Sequence, residues 1–67
     1  MDKKVQVVTY LQLHLQSLNE DLSQLSKRMD SLDPASKDFE ELDVEYNYTS
    51  GQATATGHIL EYVEEIL

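Results

Sequence analysis

Sixty-seven residues suffice for one small domain, and a chain this short buries a smaller share of its surface than a larger domain does. It contains no cysteine, so disulfides and thiolate metal sites are excluded, and oligomerisation or very regular helix packing is left as the source of stability. The net charge of −8 repels nucleic-acid phosphates and anionic membranes, which disfavours direct binding to either.

The chain opens Met1-Asp2-Lys3-Lys4, and Gln6, Thr9 and Gln12 interrupt the valines that follow. No signal-peptide core is readable there. No stretch approaches the roughly 18 apolar residues of a membrane span. The expectation is a soluble, cytoplasmic protein.

Apolar residues then recur at Val8, Leu11, Leu15, Leu18, Leu22, Leu25, Met29 and Leu32, in steps that alternate three and four. This is a coiled-coil seam, with Val8, Leu15, Leu22 and Met29 at position a and Leu11, Leu18, Leu25 and Leu32 at d. It predicts a helix from about residue 2 to 32. Asp33-Pro34 breaks it, because proline cannot continue a helix but is pre-organised for the first turn of another. Asp33 reads as the N-cap of a second helix, from about 34 to 65, whose positive end is favoured by Asp38, Glu40 and Glu41.

The second helix carries the same rhythm at Ala35, Phe39, Leu42, Tyr46, Thr49, Ala53, Thr56, Leu60, Val63 and Leu67. Its weakest part is residues 48–57, where Gly51, Gly57 and several threonines lower helix propensity and leave a kink, a loop or a short extended segment open. The fold expected is all-α: one antiparallel two-helix hairpin over residues 1–67, with coiled-coil-like seams of alternating three and four, dimerising into a four-helix bundle. Folding at Asp33 pairs Leu25 with Leu42, Leu18 with Thr49, Leu15 with Ala53 and Val8 with Ile59. Large leucines then face small residues through the centre.

Charge divides the halves. Lys3, Lys4, Lys27 and Arg28 balance Asp2, Glu20, Asp21 and Asp30, whereas beyond Leu32 the single cation Lys37 opposes nine carboxylates, so the whole imbalance lies in the second half. The block Asp38, Glu40, Glu41, Asp43 and Glu45 is a candidate face for docking a basic partner protein, or for mimicking a nucleic-acid backbone. Its plainer reading is a solvated helix face.

Little in the chain suggests chemistry. His14 and His58 fall at similar heights of the hairpin but lack the carboxylate spacing of a metal site. No nucleophile elbow and no phosphate-binding loop occurs, so no catalysis, metal or cofactor is expected. Tyr46, Tyr48, Thr49, Ser50 and His58 form a candidate pocket for a small, nucleotide-like ligand, competing with the simpler view that small residues allow close helix packing.

The most specific clue is a second apolar set at the open end: Val5, Val7, Tyr10 and Leu13 on the first helix, with Ala55, Ile59, Tyr62 and Ile66 on the second. A lone hairpin would expose these residues, so they are the expected oligomer interface. The leading functional expectation is a small acidic interaction module that regulates or inhibits a partner protein. A non-catalytic, sponge-like oligomer holding a nucleotide-like ligand is the alternative, and nucleic-acid mimicry the second alternative.

Overall fold

Helix α1 runs from Lys3 to Asp30 in the computed structural model, which describes residues 2–66. Asp2, with extended backbone, caps its start: a carboxylate oxygen accepts from the Lys4 N–H at 3.1 Å. Lys27 and Arg28 occupy its last turn, where the dipole favours cations. Ser31 closes it, both its N–H and its hydroxyl donating to the Arg28 carbonyl.

The connection is longer than Asp33-Pro34. Asp33 organises a tight turn rather than capping the helix directly: its carboxylate accepts from the Ala35 N–H at 3.0 Å and its carbonyl from the Ser36 N–H at 2.9 Å. The N-cap is Ser36, whose hydroxyl accepts from the Phe39 N–H at 3.1 Å while donating to the Asp33 carbonyl at 2.7 Å. Helix α2 accordingly begins at Lys37 and ends at Ile66. Ala35, expected in the seam, lies exposed in the turn. Leu67, the last seam position, lies outside the described residues.

The fold is all-α, an elongated hairpin of 49 × 17 × 12 Å. Burial follows the alternating steps of three and four: every seam position from Val8 to Leu32 and from Phe39 to Val63 is shielded, most deeply Leu18 and Leu25 on α1 and Thr49, Ala53 and Thr56 on α2.

The register differs from folding symmetrically at Asp33. Leu25 shares a hollow with Glu45 and Thr49, and Arg28 shares one with Leu42 and Glu45. Leu25 therefore sits nearer the level of Glu45 and Thr49 than that of Leu42, about one helical turn further along α2. Carried at one offset along two continuous helices, this sets Leu18 near the level of Ala53 and Leu22 near that of Thr49. At this offset large leucines still meet small residues.

Residues 48–57 are continuous helix. Burial of Thr49, Ala53 and Thr56 against the leucines outweighs weak propensity. The Thr56 hydroxyl, on the shielded face, donates to the Gln52 carbonyl at 2.8 Å. Neither glycine has a positive φ, and a Cβ at Gly51 would meet nothing within 4 Å. The hairpin has no steric or conformational need for glycine there, so Gly51→Ala is expected to raise stability by about 0.5–1 kcal/mol. Urea denaturation would check this, and a destabilised variant would show that Gly51 is held for a contact outside the hairpin.

Candidate association surface

A two-helix hairpin uses one stripe of each helix internally, and the rest of each cylinder faces outward. The hollow lined by Asp21, Gln24, Arg28 and Glu45 marks one side of the hairpin. From these residues, helical steps of three and four run along α1 through Ser17, His14, Tyr10 and Val7 to Lys3, and along α2 through Tyr48, Gln52, Ala55, Ile59 and Tyr62 to Ile66. This side is charged near the turn and apolar near the open end. The opposite side is marked by a hollow lined by Leu15 and Leu60 together with Gln12, Gln16, Asn19, Glu20 and Ser23.

The apolar half is unshielded. Tyr10 keeps 67% of its surface exposed, Tyr62 61%, Ile66 56% and Ile59 52%. The Tyr10 and His14 rings stack on each other, 6.1 Å apart and 5° from parallel, forming a flat aromatic element of this surface. The expected apolar set is not one patch, however. Val5 precedes Val7 by two residues and so points to the opposite side of α1, while Leu13 lies towards its outer edge. Val44, exposed like the others, extends the α2 row by one step of four before Tyr48. Its spacing made it legible, but its position among carboxylates masked it.

The acidic block divides. Asp38, Glu41 and Glu45 share a hollow with Arg28 on the side just described. Glu40 and Asp43 lie round the helix from them, in a row continued by Glu61 and Glu65 at helical spacing, all exposed. Arg28 is therefore a companion of the first three carboxylates, a neighbour that linear sequence hides because it belongs to the other helix.

The candidate pocket residues do not converge. Thr49 is buried in the seam, Tyr46 and Ser50 are half-buried, and Tyr48 and His58 are exposed on different sides of α2. The Tyr48 hydroxyl accepts from the Gln52 amide at 3.4 Å. Of the five, Thr49 lines a hollow in company with Asp21, Glu45 and Arg28. His14 and His58 occupy similar heights on different sides of the hairpin. Among the described residues there is no group of three or more histidines, cysteines or carboxylates placed to hold a metal ion, and no helix is long and apolar enough to cross a membrane.

Comparison with known proteins adds no relative. No family model, curated protein or solved structure matches the chain. The reading of function therefore rests on the surface itself.

Proposed function

We propose that the chain is a non-catalytic interaction module that works as a homo-oligomer and regulates or inhibits a partner protein through its outward carboxylates. What supports this most is the imbalance between core and surface. The buried apolar residues are Leu18, Leu25 and Ala53, no described side chain is completely enclosed, and an aromatic and aliphatic surface stands open on one side. Covering each such side chain contributes about 1.5–3 kcal/mol before entropy is counted. A second copy thus supplies the stability that a hairpin of this size lacks.

Association through the apolar side leaves the row Glu40, Asp43, Glu61 and Glu65 in water, where it steers encounter with a basic protein surface. The nucleotide-like ligand reading ranks lower, because the hollow beside Thr49 sets two carboxylates against one guanidinium and would repel a phosphate. Mimicry of a nucleic acid is also weakened by the division of the acidic block.

Two measurements test the proposal. Light scattering at micromolar concentration should give a mass above that of one chain. A partner captured by the immobilised protein should be released as salt rises from about 50 to about 300 mM, and should bind the combined Glu40→Gln and Asp43→Asn variant weakly. Retention that ignores both salt and these substitutions would remove the carboxylates from the function.

A further inference from the structure

Resting on the reading that the chain self-associates, we propose that two hairpins lap antiparallel over their open halves alone, around a two-fold axis near Ile59, with the two turns projecting from opposite ends.

Charge selects this arrangement. Near the turn, the exposed side carries Asp21, Asp38, Glu41 and Glu45 against the single cation Arg28. A full-length bundle with both turns at one end stacks that half on its copy, which desolvates two sets of carboxylates with one guanidinium for each. A full-length antiparallel stack instead lays the apolar half of each chain on the charged half of the other. The half-lap covers apolar surface with apolar surface and leaves the carboxylates in water. It uses about half of a side that measures 49 × 17 Å.

Side-chain size and the remaining cation agree with it. With the axis at Ile59, α2 packs on the α2 of the copy, and Tyr62 of one chain comes level with Ala55 of the other. Ile66 comes level with Gln52, beside Gly51. The large Tyr62 thus falls on the small Ala55 of the copy. On α1, Tyr10 meets the His14 of the copy. Lys3, the cation at the apolar end, reaches Asp21, the first carboxylate beyond the lap.

The turn separates the possibilities. Ala35 is exposed and the chain has no cysteine, so a nitroxide attached to an Ala35→Cys variant reports the distance between turns without competing labels. From Ala35 to the axis is about 35 Å at 1.5 Å per residue, so the half-lap places the two labels roughly 60–70 Å apart. A bundle with both turns at one end holds them within about 20 Å, given interaxial distances of about 8–10 Å. Double electron–electron resonance on the labelled, scattering-verified dimer should show the long distance alone. A dimer whose distribution peaks below about 40 Å overturns the lap while leaving self-association standing. A monomeric mass at about 100 µM, or a mass above a dimer, overturns the lap, and the monomer removes self-association as well.

Discussion

Replacing Ile59 and Tyr62 together with aspartate is expected to turn the proposed oligomer into monomers and to lower helix content at micromolar concentration. Both side chains are more than half exposed in the hairpin, so the substitutions remove no intrachain core. In a two-fold assembly each acts twice. Losing four buried apolar side chains, and desolvating carboxylates in their place, weakens association on the order of 10³-fold or more. Helicity falls with it, because a separated hairpin has few buried side chains to offset the entropy of ordering two long helices. Sedimentation or light scattering reads the mass and circular dichroism the helicity. Val44→Asp is the control: it is exposed on the same helix but belongs to the turn half, and it should leave the mass unchanged. A double variant with the mass of the wild type would show that another surface mediates association.

Truncating the seam acts on the fold itself. Leu25 is 5% exposed, the deepest apolar residue of the core, and Leu25→Ala is expected to cost about 2–4 kcal/mol through lost transfer energy and an unfilled space. Small domains have only about 5 kcal/mol to lose, so the variant would keep roughly 1–3 kcal/mol and unfold at a much lower urea concentration. Leu13→Ala removes the same atoms from a residue that is 61% exposed, and should cost the hairpin under about 1 kcal/mol. Urea titrations at one fixed protomer concentration compare the two, since association shifts apparent stability. Equal midpoints would mean that Leu25 is not the centre of the packing.

The hairpin was legible because its determinants are local and periodic. Leucines at three and four residue steps place a stripe on one face of a helix whatever lies opposite, and Asp33-Pro34 interrupts it through covalent restrictions on the backbone. The exposed apolar residues followed from the same spacing, since a helix in a hairpin has one partner and a second stripe has none.

Tertiary structure decided what depends on two helices at once. The turn uses Ser31–Ser36: the Asp33 carboxylate accepts from the Ala35 N–H, and Ser36 is the cap, accepting from the Phe39 N–H. The pairing lies about one turn from symmetric folding at Asp33, and Leu25 lines a hollow with Glu45 and Thr49. Residues 48–57 are helical because packing outweighs propensity, a contest no local rule resolves. The grouping of Arg28 with Asp38, Glu41 and Glu45, and the separation of Glu40 and Asp43 from them, likewise needed the register and the side of each helix. Sequence by itself determined which stripe each residue occupies, because that is a property of one helix and its period. Only the assembled hairpin decided which stripes share a side, because that depends on how the turn sets one helix against the other.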